Sequence, residues 1–379
     1  MQPANAERLA VVAAYFCIFV GVGVWVPYFP LYLAHLGYTG SQIGLVIGIQ
    51  PALRWCGALG WAYVADRWRN RHRVLVFTAG LGAICFVPLL VVRDIRAMLL
   101  VLTLIGLLHG TLIPMLDATV MDNLSTLGGD YGRLRLWGSL GFVVGSAGSA
   151  PLIHFSGPEI VPLLLVAPGW LMVLSLGRIP RTQLGQHAHL RGPWQLMTPQ
   201  LSRFLSSAVL LQISCGTWSG FFAMHTTALG FSDAVPGFTY GLAVIFEIAL
   251  MYWGRQMLDR YRAVNVLLLS LVITVVRWVL TAIATNEILV IALQLGHVFS
   301  FSAFHLSALR LLEKFIPRAR STSGQALYGA VSFGVGGTTG LWLAGWLVQQ
   351  GGTRVAFGFE AAIAMLAVWP ALRLRRFES

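Results

Sequence analysis

P-M-L-D-A-T-V-M-D-N-L-S-T-L-G-G-D-Y-G-R-L-R-L-W-G-S, residues Pro114 to Ser139, sets two opposite charges in apolar surroundings. Asp117 sits in an apolar helix that starts near Met98, and Arg135 heads the next apolar helix. Eighteen positions separate them, enough for one turn-back between neighbouring helices. A carboxylate and a guanidinium can then meet at membrane depth. An ionised Asp or Arg at mid-membrane costs about 2.5–3.5 kcal/mol on insertion scales, so each needs a partner or a polar cavity. The pair is a candidate site on energetic grounds alone.

The composition around this stretch is that of an integral membrane protein. Of 379 residues, 57% are hydrophobic and 11% charged, against roughly 25% charged in soluble domains. The mean hydropathy is +0.74. A net charge of +12 would suit a nucleic-acid partner, but its distribution does not. Of the 26 Lys and Arg, 21 fall at or near one set of loops. The opposite loops hold Arg93, Arg96 and Arg354, and Arg54 and Arg277 lie inside spans. This positive-inside asymmetry predicts both termini in the cytoplasm and no nucleic-acid partner. Cys17, Cys56, Cys85 and Cys215 all fall in apolar segments without metal-ligand spacing, which marks them as packing residues. The first apolar run, Leu9 to Leu33, is too long for a signal-peptide core and reads as a retained helix.

Twelve apolar runs of about 20 residues are expected to span the bilayer. They begin near Leu9, Gln42, Arg73, Met98, Leu134, Val161, Leu205, Phe238, Val264, Ile288, Leu327 and Val355. The one long polar connection, Arg178 to Arg203, carries Gln183, Gln186, His187, His189, Arg191 and Gln195. It divides the chain into an N-terminal six-helix bundle (1–178), a cytoplasmic linker (179–203) and a C-terminal six-helix bundle (204–379). The halves repeat. At an offset of 193, Gly44 maps to Gly237, Gly48 to Gly241, Arg54 to Glu247, and Asp66-Arg67-Trp68-Arg69 to Asp259-Arg260-Tyr261-Arg262. The fold class expected is all-α, with two pseudo-symmetric bundles. In transporters built on such a parallel repeat, the substrate site lies at mid-membrane between the halves. Glycines cluster in the fifth span (Gly138, Gly141, Gly145, Gly148) and the eleventh (Gly329, Gly334, Gly337, Gly340). Their small surfaces allow close helix packing, static or sliding.

The polar groups inside spans are Arg54, His109, Asp117, Arg135, Glu247, Arg277, His297 and His305. Any one could be a structural pair or a snorkelling side chain. Eight of them over both halves are hard to explain as packing. Arg54 and Glu247, equivalent in the repeat, could face each other across the central axis. Asp117 and Glu247 are the natural proton carriers, and Arg135 offers a planar fork for a carboxylate or a pair of hydroxyls. Asp66 and Arg67, with Asp259 and Arg260, occupy cytoplasmic turns, where the acids read as latches between helix ends. Tyr28 and the other aromatics of the first span read as packing, anchors, or walls of a pocket for a ring. There is no phosphate-binding G-x-x-x-x-G-K-[ST] loop and no nucleophile–base or metal cluster, so neither ATP-driven transport nor a membrane enzyme is expected.

With these residues in view, the chain resembles major facilitator superfamily permeases over nearly its whole length. Asp66-Arg67 before a basic run is similar to the superfamily's loop after the second helix, with Ala62 where that loop usually has glycine. The closer resemblance is to the oligosaccharide:proton symporters around lactose permease. Within that neighbourhood it is to the 3-phenylpropionate transporters, through Asp130–Ser139, Val275–Trp278 and His305–Arg310. The resemblance implies that Asp117 and Arg135 match the acid–arginine pair that holds sugar. Glu247, Arg277 and His297 would match the glutamate, arginine and histidine of helices eight, nine and ten. Ser300 stands where that family carries its proton on a glutamate, so here the proton rides on Glu247 or Asp117.

The expected function is proton-coupled uptake of a small aromatic carboxylic acid by alternating access. It would run without a cofactor, as a monomer, in the bacterial inner membrane. Asp117, Arg135, Trp137, Tyr28 and His305 form the substrate set. Glu247, Arg277, His297 and Arg54 form the coupling network, and Asp66, Arg67, Asp259 and Arg260 the gating loops. Sugar or nucleoside symport, and a sensor or scaffold without flux, stay open as alternatives.

Overall fold

The computed structural model describes residues 3–128, 130–179, 196–317 and 320–377. The helices are α1 (Pro3–His35), α2 (Gly40–Trp68), α3 (Arg71–Phe86), α4 (Ile95–His109), α5 (Leu112–Asp122), α6 (Tyr131–Ser156), α7 (Val161–Leu176) and α8 (Pro199–Ile213). They continue as α9 (Gly216–Ala228), α10 (Ala234–Arg260), α11 (Ala263–Ile283), α12 (Glu287–Gln294), α13 (Phe304–Phe315), α14 (Ser321–Gly329) and α15 (Gly337–Leu372). Eleven helical runs among the described residues are long and apolar enough to cross a membrane. The last of them, Ser323–Phe377, has 55 residues, far more than the roughly 20 that one crossing needs. It turns at Gly352, whose φ of 77° only glycine adopts cheaply. Read as two crossings, it brings the count to the expected twelve.

Local chemistry sets the helix ends. Asp94 caps α4 by accepting from Arg96 N and Ala97 N, and Asp130 caps α6 by accepting from Gly132 N at 2.6 Å. Thr198 caps α8, whose first residue is Pro199, and Asn286 caps α12. Each cap satisfies amide donors that the helix leaves unpaired, which matters most where water is scarce. Other spans break partway. α4 passes to α5 at Gly110–Thr111, and α8 passes to α9 at Ser214–Cys215. A π-turn, Phe299–Ala303, precedes α13.

The chain forms two compact units. One holds the described parts of Met1–Tyr38, Ile49–Ala188 and Pro236–Gly241, the other those of Thr39–Gly48, His189–Val235 and Leu242–Ser379. Gln183, Gln186, His187, His189, Arg191 and Gln195 of the expected linker lie outside the described residues.

In the first unit α1 lies directly on α6. A Cβ added to Gly141 would strike the backbone oxygen of Phe16, and one added to Gly145 that of Val20. Backbone-to-backbone contact of this kind needs glycine on the crossing face. Below the crossing, Val11, Ala14, Leu75, Leu116, Val120 and Leu134 pack into one core. In the second unit α8 packs on α15, around Phe204, Leu211, Leu267, Leu311 and Ala367. The buried Ser207 hydroxyl donates to Ala367 O at 2.9 Å, tying helices 160 positions apart.

Two glycines of the fifth span separate packing from mere composition. Gly145 is buried against Val20, whereas a Cβ on Gly148 meets only Val144 Cγ1 at 3.9 Å. Overpacking costs about 1–3 kcal/mol. Gly145→Leu is therefore expected to lower the melting temperature of detergent-purified protein by several degrees, and Gly148→Leu to leave it nearly unchanged. Equal effects would remove the glycine crossing as the basis of the α1–α6 contact.

Candidate functional site

Each unit carries a polar cluster of its own. In the first, α4 and α5 bring Asp117 to the start of α6, where Asp130 fixes the helix end five residues before Arg135. Arg135 Nε lies 3.9 Å from Asp117 Oδ1, and both side chains are about 30% exposed. Tyr15 of α1 donates its hydroxyl to the same Oδ1 at 2.5 Å. The guanidinium lies over the Phe19 ring at 4.2 Å and the Tyr15 ring at 5.5 Å. It fits there because Gly138 has no side chain: a Cβ would come within 2.7 Å of Arg135 Nη1. Tyr131 sits close enough to interact with both charges. The result is a partly accessible ion pair framed by three aromatic rings. Arg135 is held there by contacts that a competing anion could replace.

The second unit holds the larger network. Glu247 of α10 meets His297 Nε2 at 2.8 Å. On its other side, His297 Nδ1 lies 3.5 Å from Arg277 Nη1. Arg277, 2% exposed, also donates to Gln294 Oε1, through Nε at 3.1 Å and Nη2 at 2.5 Å, and to Ser300 Oγ at 3.2 Å. Its guanidinium lies over Trp278 and Trp218. The His297 ring stacks on Trp218 at 3.9 Å. Beyond it His297, Phe301 and His305 form a ladder of near-parallel rings, and His305 Nδ1 is 3.4 Å from the Tyr328 hydroxyl. The chain from carboxylate through imidazole to guanidinium is continuous within this unit. It can hold a proton between Glu247 and His297 while Arg277 keeps the ring oriented.

The remaining expected residues fall elsewhere. Tyr28 is fully buried and donates to Ser146 O at 3.0 Å, so its hydroxyl is already engaged. Trp137 is 44% exposed. Arg54 and His109 line a cavity inside the first unit. Asp66 and Arg67 are exposed at the end of α2, where Arg69 turns the chain with φ 47°. Asp66 makes no side-chain hydrogen bond or ion pair with a described residue. The bridge between helix ends is made instead by Arg71 and Asp122, at 2.6 Å. Arg260 lies over its neighbour Tyr261 at 5.7 Å, and the Asp259 side chain lies outside the described residues.

Several groups were not singled out from the sequence. Tyr15 and Phe19 looked like ordinary apolar-helix aromatics. Gln294, one turn before His297, was the readable signal for a polar partner of Arg277. Glu360 of α15 is 1% exposed and accepts from Thr217 N at 2.6 Å. It thereby caps the broken span at the start of α9, inside the second unit.

Residues 9–359 match the MFS_1 like family. The chain is 30% identical over 367 residues, 94% of each chain, to the "Probable 3-phenylpropionic acid transporter" of Escherichia coli (strain K12). It is 22% identical over 389 residues to the maltose permease of Geobacillus stearothermophilus, covering 99% of this chain and 96% of that one. Among solved structures, the nucleoside transporter NupG superposes with a TM-score of 0.86 at 19% identity, over 99% of this chain and 100% of that one. A D-xylose–proton symporter superposes at 0.71 with 13% identity, over 99% and 98%. The chain belongs to the MFS_1-like family of the major facilitator superfamily. It is a multi-pass membrane transporter, not an enzyme.

Removing the Glu360 side chain strands the Thr217 amide in apolar surroundings, at a cost of about 1–3 kcal/mol. Glu360→Ala should therefore lower the melting temperature clearly, and Glu360→Gln, which keeps an acceptor oxygen, should recover most of the loss. Equal melting of the two variants would show that the cap contributes nothing.

Proposed function

We propose that this transporter carries a small aromatic carboxylic acid of the 3-phenylpropionate type into the cell together with a proton, by alternating access. The observation that carries the coupling is the Glu247–His297 contact at 2.8 Å, joined through His297 to Arg277. A carboxyl and an imidazole at that distance share one proton site, and gain or loss of that proton changes the charge of a largely buried pair. Ser300 supplies a hydroxyl to Arg277 rather than a carboxylate, which leaves Glu247 as the acid of the network.

The substrate class is supported by the relative named for 3-phenylpropionic acid at 30% identity. It is also supported by the Arg135 fork, set among Tyr15, Phe19 and Tyr131. A planar guanidinium binds a carboxylate in bidentate fashion, and aromatic neighbours suit a ring. In this mechanism Asp117 holds Arg135 until the substrate carboxylate competes for it. Trp137, two residues after Arg135 and 44% exposed, contributes ring surface. The transporter acts as a monomer in the bacterial inner membrane, driven by the proton gradient.

The test is uptake of labelled 3-phenylpropionate into proteoliposomes with an imposed pH gradient. An inward proton gradient should raise accumulation several-fold, and a protonophore should abolish the rise. Unlabelled sugars and nucleosides should not compete. Glu247→Gln should lose gradient-driven accumulation at least tenfold yet retain substrate exchange. Accumulation indifferent to the gradient would remove symport, and competition by a sugar or nucleoside would move the substrate class.

A further inference from the structure

Tyr15 and Arg135 approach the same oxygen of Asp117, and they do so at very different distances. The Tyr15 hydroxyl donates to Asp117 Oδ1 at 2.5 Å, within the range of about 2.5–2.7 Å for a hydroxyl on a charged acceptor. Arg135 Nε stands 3.9 Å from that oxygen, well beyond the roughly 2.7–2.9 Å of a cationic N–H hydrogen-bonded to a carboxylate. Opposite charges this close attract strongly where water is scarce. A gap of this size needs something to hold it open.

Each charge has its own holder. Arg135 lies over the Phe19 ring at 4.2 Å, in a space that Gly138 leaves clear. Asp117 lies on the Tyr15 hydroxyl. Tyr15 is fully buried, in the core that contains Val11, Leu116 and Leu134. One residue on, the backbone of α1 rests on α6: a Cβ on Gly141 would come within 2.3 Å of Phe16 O. The hydroxyl is therefore fixed against the helix that carries Arg135, and does not follow the acid if the acid moves. Tyr131 interacts with both charges, whereas the Tyr15 hydroxyl bonds the acid alone.

We propose that Tyr15 is a positioning residue for the substrate anion. By holding the Asp117 carboxylate it keeps the acid from closing on Arg135, and the guanidinium stays free for a substrate carboxylate. When the substrate takes Arg135, Asp117 keeps the Tyr15 bond and is not left unpaired, which would be costly in these surroundings. Tyr15 thus acts on both sides of the exchange: it loosens the pair beforehand and satisfies the acid afterwards. The ligand rests on the aromatic-acid reading given above. The role of Tyr15 rests on the two distances to Asp117 Oδ1.

The test uses Tyr15→Phe, which removes the hydroxyl and keeps the ring. Two quantities are followed on the purified full-length protein. One is the dissociation constant for 3-phenylpropionate, by calorimetric titration. The other needs no substrate: the rate at which phenylglyoxal modifies Arg135, read by mass spectrometry against the exposed Arg96 of the same sample. A guanidinium held in a tight carboxylate pair reacts slowly. Tyr15→Phe should weaken binding at least tenfold and slow modification of Arg135 several-fold, with Arg96 unchanged. Placed on Asp117→Asn, the same change should alter neither quantity, because a neutral amide does not capture the arginine. That loss of additivity is the signature of an effect passing through the acid.

Binding and Arg135 reactivity at wild-type levels in Tyr15→Phe would overturn the positioning role. Losses that persist in the Asp117→Asn background would overturn it too, since they would come from packing and not from the acid. Wild type that binds no 3-phenylpropionate would overturn the aromatic-acid reading, and the Arg135 rates would still decide the role of Tyr15. Should Tyr15→Phe fail to fold, Asp117→Asn decides. A tenfold or larger rise in Arg135 modification would show that the acid already holds the arginine closed and overturn the proposal, and a smaller change would sustain it.

Discussion

A charged side chain inside a bilayer has to be satisfied by the chain that carries it. That constraint organises this transporter more than any other. Asp117 receives Tyr15 and Arg135. Glu247 receives His297, and Arg277 is spread over Gln294, His297 and Ser300. Glu360 is held by a backbone amide exposed where a span breaks. In each case the partner comes from another helix, so the polar contact also fixes which helices are neighbours. Breaking such a contact by removing one partner leaves the other buried and unpaired, which costs more than the contact itself contributes.

The same constraint explains how these groups can act. A fully satisfied, static network would only hold helices together. The Asp117–Arg135 distance of 3.9 Å is looser than a tight ion pair, and both side chains keep some access. In the proposed mechanism Arg135 exchanges its partner while keeping its place over Tyr15 and Phe19. Glu247 and His297 are in hydrogen-bond contact at 2.8 Å. In the proposed mechanism one cluster exchanges an anion and the other a proton. Small residues allow the helices bearing these groups to approach closely, as Gly141 and Gly145 do on α1.

Much of this was legible in the sequence because its signals are one-dimensional. Span length, the positive-inside bias and the repeat at an offset of 193 need only positions and residue types. The Asp117–Arg135 meeting was legible because a single turn-back separates them. The Glu247–His297–Arg277 grouping came through resemblance, since the three sit on three different spans. What escaped depends on facing. Tyr15 reaches Asp117 across 102 positions, and Thr217 reaches Glu360 across 143. No local pattern encodes which face of one helix meets which face of another. The interruption at Gly110–Thr111 is announced only by Pro114, which cannot donate to Gly110 O, the one at Ser214–Cys215 has no proline beside it, and the π-turn at Phe299–Ala303 lies within the stacked rings of His297, Phe301 and His305. The Arg71–Asp122 bridge escaped as well, because the loop pattern drew attention to Asp66 rather than to an arginine one helix on.

The claim on which the coupling account stands is that substrate binding and proton occupancy at Glu247 are linked. The direct measurement is the proton uptake that accompanies 3-phenylpropionate binding to purified protein in weakly buffered detergent solution, followed with a pH indicator. The account predicts net uptake of protons on binding by wild type and none by Glu247→Gln at saturating substrate. Uptake undiminished in Glu247→Gln, or absent in wild type that binds the acid, would contradict it.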